Sequence, residues 1–186
     1  MLFRSSSTQK MDRLINAILR LSREGRRTLS ASQVDLAGLV QAIIDSLQHR
    51  IDETGTTIEI GQLPALESDR LALEQILSNL IENALKYLQP GRPGVIRIDG
   101  NVSHGRAHIH VRDNGRGIEE RDHERIFDLF RRSGTQDQPG EGIGLAHVRA
   151  LAYRLGGLIE VASEKGVGST FTLSLPLKFQ AGVADA

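Results

Sequence analysis

Cysteine is missing from all 186 residues. Its absence excludes disulfide scaffolds, thiolate metal sites and cysteine nucleophiles. No apolar run approaches the ~18 residues that a membrane-spanning helix needs. The opening Met-Leu-Phe-Arg-Ser-Ser-Ser has no apolar stretch long enough for a secretory signal. Net charge is also lacking, because 23 Lys and Arg balance 23 Asp and Glu. A generic nucleic-acid binder carries a basic surplus, so that class is disfavoured. There is no internal repeat and no Gly-Lys-Ser/Thr phosphate loop. These absences read as a soluble, cytoplasmic chain with no membrane span of its own.

Hydrophobic residues make up 39% and charged residues 25%, the usual globular balance. The length allows one domain and a short appendage. The zero net charge hides a split. Residues 1–33 carry seven basic side chains (Arg4, Lys10, Arg13, Arg20, Arg23, Arg26, Arg27) against Asp12 and Glu24, leaving 16 basic against 21 acidic in the remainder. Within 8–28, Met11, Leu14, Ile18 and Leu21 form a heptad-like seam widened by Ile15 and Leu19. Such a stripe cannot bury itself alone, and no second long amphipathic helix lies beside it in sequence.

Beyond that segment the spacing predicts a helix from Asp35 to Gly55 and a strand over 56–60. A third helix, capped by Ser68 or Asp69, repeats Leu73, Ile76, Leu77, Leu80, Ile81 and Ala84 at helical spacing. Pro90-Gly-Arg-Pro-Gly94 stops it. Two strands around Gly105 read as a hairpin, with Ala107, Ile109 and Val111 alternating with polar residues. A loop-rich stretch over 113–144 contains a short helix near 121–130. A helix over 143–155 and two strands over 158–162 and 169–175 complete the pattern. Helices and antiparallel strands in this order predict an α+β fold, a two-layer sandwich with helices on one face of a sheet.

Four clusters could carry chemistry. Asn79, Asn83 and Lys86 share one face of the third helix, with Glu82 one step around it. Two amides and an ammonium offer an oxygen ligand to a hard metal and a contact to phosphate; an ordinary solvated face would look the same. Asp113-Asn-Gly115-Arg-Gly117-Ile follows a strand, and its glycines permit a tight turn and close approach of a ligand. The Asp113 carboxylate could accept from an exocyclic amino group. Taken singly it could be a plain Asp-Asn-Gly turn. Gly140-Glu-Gly142-Ile-Gly144-Leu145 opens a helix, where free amides favour phosphate, although a loop with spare glycines is the simpler alternative. Gly166-Val-Gly168-Ser-Thr170 adds a hydroxyl before the last strand.

In their order over about 79–175, these clusters resemble the ATP-binding domain of sensor histidine kinases, in the superfamily shared with gyrase, Hsp90 and MutL. Asn-Leu-Ile-Glu-Asn-Ala-Leu-Lys-Tyr is similar to the asparagine box, and Asp-Asn-Gly-Arg-Gly-Ile to the first glycine box. Ile126-Phe-Asp-Leu-Phe130-Arg131-Arg132 is similar to the phenylalanine box. The remaining glycine stretches complete the set. The resemblance implies a Bergerat-type α/β sandwich over 34–178, preceded by one long helix over 1–33 and followed by a frayed tail over 179–186.

It also implies roles. Asn83 would hold the Mg²⁺ that bridges the phosphates of ATP. Asn79 and Glu82 would support that region, and Glu82 would polarise the reacting groups. Lys86 and Tyr87 would contact phosphates and nucleotide. Asp113 would bind the adenine amino group while Gly115 and Gly117 let the backbone pass. Residues 119–140 would form a lid anchored by Phe127 and Phe130, with Arg131 at the nucleotide. Gly142, Gly144 and Leu145 would approach the phosphates. Thr170 would reach adenine. The ATP-hydrolysing relatives resemble one another in placing a Glu where this chain has Asn79. An amide cannot take a proton at pH 7, which favours phosphoryl transfer to a histidine over hydrolysis.

None of the six histidines, His49, His104, His108, His110, His123 and His147, stands in the His-Glu/Asp context of a phospho-acceptor. The basic helix resembles only the second helix of the family's dimerisation hairpin. The implied partners are therefore a histidine-bearing hairpin, a response regulator and a second copy in a homodimer, with membrane attachment only through a sensor region outside this chain. An ATP-binding interaction module or an anti-sigma-type serine kinase of the same superfamily is the competing expectation.

Overall fold

The computed structural model describes residues 25–129 and 142–179, together with Ile15, Leu19 and Ser22. Helix α1 (Leu36–Ser46) begins where the Asp35 side chain accepts from the Gly38 amide, and it buries Leu36, Leu39, Val40, Ile43 and Ile44. The single helix expected up to Gly55 is broken at Leu47. There the Ser46 hydroxyl bonds the Ile43 carbonyl, and the Leu47 amide is shared between Ile43 and Ile44. Helix α2 (Gln48–Thr54) then buries Ile51 and ends at Gly55, whose φ of 61° suits a residue without a Cβ.

Helix α3 (Arg70–Lys86) is capped by Asp69, whose carboxylate accepts from Ala72 at 2.8 Å. It buries Ala72, Leu73, Ile76, Leu77, Leu80, Ile81, Ala84 and Leu85. Helix α4 (Gly144–Arg154) buries Val148, Leu151 and Ala152. Both lie on one face of a five-stranded sheet. Strand β2 (Thr57–Ile60) runs parallel to β4 (Val95–Ser103). Strands β4, β5 (Arg106–Asp113), β7 (Gly168–Pro176) and β6 (Leu158–Glu164) pair antiparallel in that order. The predicted two-layer α+β sandwich is the architecture observed.

Alternation decides which side chains meet the helices. Ala107, Ile109 and Val111 of β5 pair with Leu175, Leu173 and Phe171 of β7, and all six are buried. His108 and His110 turn to the opposite face and bond the Ser174 and Thr172 hydroxyls. A small second sheet, not foreseen, pairs β1 (Ser32–Val34) with β3 (Leu66–Ser68). Strands of three residues leave no alternation to read. The helix expected near 121–130 is two 3₁₀ turns, Glu120–Asp122 and Arg125–Phe127. Phe127 meets Phe171 edge to face at 6.3 Å.

Both ends of the predicted domain reach further than expected. Arg27 grips Asp69 through two bonds of 2.6 and 3.0 Å, the Ser30 amide adds a third, and Leu29 packs on the core. At the other end the Phe179 amide bonds the Glu67 carbonyl, and its ring packs on the core, so the chain is anchored one residue into the expected frayed tail. Of the basic segment, Ile15, Leu19, Ser22 and Gly25 are helical and exposed. Met11, Leu14, Ile18 and Leu21 lie outside the described residues. No helix among the described residues is long and apolar enough to cross a membrane.

Candidate functional site

The exposed side of α3 joins two loop systems. At its middle, Asn79 meets the start of α4, where a Cβ on Gly144 would fall 2.2 Å from the Asn79 amide oxygen. At its end, the Tyr87 carbonyl accepts from the Arg116 amide at 3.0 Å, and a Cβ on Gly115 would fall 2.4 Å from it. The eight steps from Asn79 to Tyr87 span about 12 Å at 1.5 Å per residue. Asn79, Asn83, Lys86 and Tyr87 are half-buried along that span, and Glu82 is exposed. The Tyr87 ring carries the Arg116 guanidinium 4.4 Å from its centre and the Lys86 ammonium at 5.1 Å.

Asp113 ends β5 on the face that holds Val111 and Ile109, directly beneath the helices. Its carboxylate accepts from the Gly115 amide at 2.8 Å. Burial pushes its pKa up to about 6, against the opposing pull of the Gly115 and Ser169 amides and the Arg92 charge. The glycine positions around it tolerate no side chains. A Cβ on Gly117 would lie 1.9 Å from the Glu164 carbonyl oxygen, and one on Gly168 2.1 Å from that of Asp113. Asn114 locks the turn to β4, accepting from the Val95 amide and donating to the Pro93 carbonyl.

Thr170 does not share this pocket. It pairs with Arg112, so it faces the side of the sheet opposite Asp113. Ser169 takes the place expected for it. It pairs with Asp113, is buried, and contacts the Ser163 hydroxyl at 2.9 Å, while Ser163 also accepts from the Ile118 amide. Strand alternation back from the core residue Phe171 is the sequence signal that finds Ser169. Gly142, with φ of 71°, Gly144 and Leu145 are half-buried at the start of α4. Arg131, Phe130 and Gly140 lie outside the described residues.

Residues 68–179 match the family described as "Histidine kinase-, DNA gyrase B-, and HSP90-like ATPase". The chain belongs to this family. Cyanobacterial phytochrome B of Nostoc sp. is 40% identical over 172 residues, which cover 90% of this chain and 23% of that protein. Sensor histidine kinase WalK of Bacillus subtilis is 32% identical over 182 residues, 93% of this chain and 30% of WalK. Full-length ShkA in complex with AMPPNP superposes with a TM-score of 0.76 at 30% identity, covering 95% of this chain and 38% of ShkA. The chain thus spans a quarter to a third of these two curated relatives. Several of its relatives, WalK and AtsR among them, are sensor histidine kinases, and its structural neighbours include the catalytic domain of histidine kinase ThkA.

The donor set suits a magnesium ion that arrives with phosphates. Among the described residues no group of three His, Cys, Asp or Glu side chains could cage a metal. The α3 face instead offers amide oxygens, hard ligands few in number, and Mg²⁺ is commonly held by one or two protein oxygens plus substrate phosphates.

Proposed function

We propose that this chain is the Mg·ATP-binding catalytic region of a cytoplasmic two-component histidine kinase. It transfers the γ-phosphoryl group of ATP to a histidine carried by another helix or chain. The observation that carries this reading is the span of α3 between Gly144 and the Asp113 turn. It sets a carboxylate shaped for an amino group at one end and amides plus glycine backbone at the other. Asp113 selects adenine. Lys86 and Tyr87 meet the nucleotide between the two ends. Asn83 holds Mg²⁺, with Asn79 and Glu82 supporting it. The bound ion would neutralise phosphate charge.

In the transfer, the bond from the γ-phosphorus to its bridging oxygen breaks, an imidazole nitrogen lone pair forms the new bond, and ADP leaves with the bridging oxygen. Catalysis of this kind rests on positioning and charge. Four of the six histidines of this chain meet partners within its own body. His108 and His110 bond hydroxyls on the outer sheet face, His49 lies 3.3 Å from Glu53, and His123 reaches the Ile118 carbonyl. Because none of the six histidines stands in a His-Glu/Asp context, the phospho-acceptor in this reading comes from a dimerisation hairpin, and a response regulator takes the phosphoryl group onward.

Incubation with γ-labelled ATP, Mg²⁺ and a separately made histidine-bearing hairpin tests this. Label on the hairpin is the expected result, abolished by Asn83→Asp and by Asp113→Asn. ATP bound with no label on the hairpin overturns the transfer. Recovery of a sigma-like partner labelled on serine would favour the anti-sigma-type kinase instead.

A further inference from the structure

Arg92 belongs to the Pro-Gly-Arg-Pro-Gly connection between α3 and β4, where the sequence reads only as a stop. Its Nη2 lies 2.5 Å from the Asn114 carbonyl oxygen, 3.0 Å from that of Gly115, and 3.2 Å from those of Gly166 and Val167. The first two acceptors sit in the turn that begins at Asp113. The other two sit in the β6–β7 turn that leads to Ser169. One terminal nitrogen has two protons, so four carbonyl oxygens converge on a single positive centre in shared contacts. The same turns interlock elsewhere. The Gly166 amide donates to the Arg116 carbonyl at 2.7 Å, and Gly117 and Gly168 leave no room for side chains between them.

We propose that Arg92 is a positioning residue for base recognition: it knots the 113–117 turn to the 164–168 turn and so fixes where the Asp113 carboxylate meets an adenine amino group. The inference rests on the nucleotide reading above. All four acceptors meet Nη2, at the far end of the guanidinium, whereas a lysine ammonium is a more strongly hydrated point charge on a flexible stem that does not extend as far. Arg92 is also the charged side chain that acts on Asp113, the remaining partners being the Gly115 and Ser169 amides. It therefore supports the ionised carboxylate as well as its location. Guanine presents a carbonyl where adenine has its amino group, and an ionised carboxylate repels it.

The test measures ATP and GTP dissociation constants of the 186-residue chain with Mg²⁺. The proteins compared are wild type, Arg92→Lys, Arg92→Met, Asp113→Asn and the Arg92→Lys/Asp113→Asn pair. Arg92→Lys is expected to cut the ATP-over-GTP preference about tenfold, mainly by weakening ATP, the scale of one charge-assisted hydrogen bond. In the Asp113→Asn background the same change should alter the preference less than about twofold, because Arg92 acts through Asp113. A purely structural role would lower the melting temperature and weaken both nucleotides equally. An unchanged preference in Arg92→Lys, or an equal drop in both backgrounds, overturns the assignment; should Arg92→Met not fold, Arg92→Lys decides. Failure of the wild-type chain to bind either nucleotide would instead sink the nucleotide reading, and this inference with it.

Discussion

Asp113 is held where burial opposes its charge, with two backbone amides and one guanidinium to offset it. Its pKa stands at about 6 in the folded chain, raised from the ordinary 3.8. A raised acid binds its proton more tightly when folded. The stability it contributes is complete below about pH 4 and is lost as pH climbs through about 6, so at pH 8 the empty protein carries a strained carboxylate. Asp113→Asn should therefore raise the melting temperature of the nucleotide-free chain at pH 8, by about 1–2 kcal/mol of stability, and change it much less at pH 4. Thermal melts of both proteins at the two pH values check this; an equal effect at both would show that the charge is not the cause. The same variant should lose ATP if Asp113 reads the base as proposed, since the gain in stability would then come from the recognition group itself. Most of these residues were legible from the order of their motifs. Thr170 was expected at adenine from the resemblance, whereas the alternation set by Phe171 turns Ser169, not Thr170, to the face of Asp113. Arg92 was not legible at all. Nothing in a Pro-Gly-Arg-Pro-Gly stop reveals four carbonyls arriving from residues 114–115 and 166–167.

Among the elements, α3 was the most readable, because its apolar spacing and Asp69 cap are local signals. What the spacing could not show is the second task of that cap. Asp69 is buried and receives Arg27, the Ser30 amide and the Ala72 amide together. Burial alone would raise its pKa, but the Arg27, Ser30 and Ala72 bonds outweigh it and hold the value at about 2. The helix that carries Asn79 and Asn83 is thus capped by the carboxylate that also ties down the chain leaving the basic segment. Arg154 strengthens the tie by donating to the Arg27 carbonyl at 2.5 Å. Asp69→Ala removes the helix cap together with the carboxylate that receives Arg27 and the Ser30 amide, and should cost about 3 kcal/mol in urea unfolding. Arg27→Ala should cost less, about 1–2 kcal/mol, since Arg27 is partly exposed and the two amides remain on Asp69. A depressed acid contributes stability that is present above 3.8 and lost as pH falls through about 2. Wild type should therefore lose more stability than Asp69→Asn on going from pH 4 to pH 2. β1 and β3 escaped the sequence reading for a related reason: three-residue strands have no periodicity, and their partners lie more than thirty residues apart.

For the whole molecule, contacts of the folded body cross the division that the charge imbalance suggested at residue 33. Residues 1–33 were read as one basic piece, yet Arg27 is part of that surplus and spends its charge on Asp69 inside the folded body. Leu29 packs on the core, and β1 pairs with β3. The exposed residues lie further back, with Ile15 and Leu19 at 52% and 46% accessibility, the apolar side chains that a partner helix would cover. The folding unit should therefore begin near Gly25. A chain of 25–186 is expected to unfold within about 0.5 kcal/mol of the full chain, because Ile15, Leu19 and Ser22, the described residues removed, are exposed. A chain of 32–186 loses Arg27, Leu29 and the Ser30 amide from around a buried carboxylate, and should fall by about 3 kcal/mol. Both should keep the five-stranded sheet by circular dichroism, since its strands start at Thr57. If self-association belongs to the basic helix, sedimentation should find the full chain heavier than 25–186 at the same concentration, with equal nucleotide affinity per chain. Equal stability of 25–186 and 32–186 would mean that the Arg27–Asp69 tie contributes nothing to the domain and would return the boundary to residue 34.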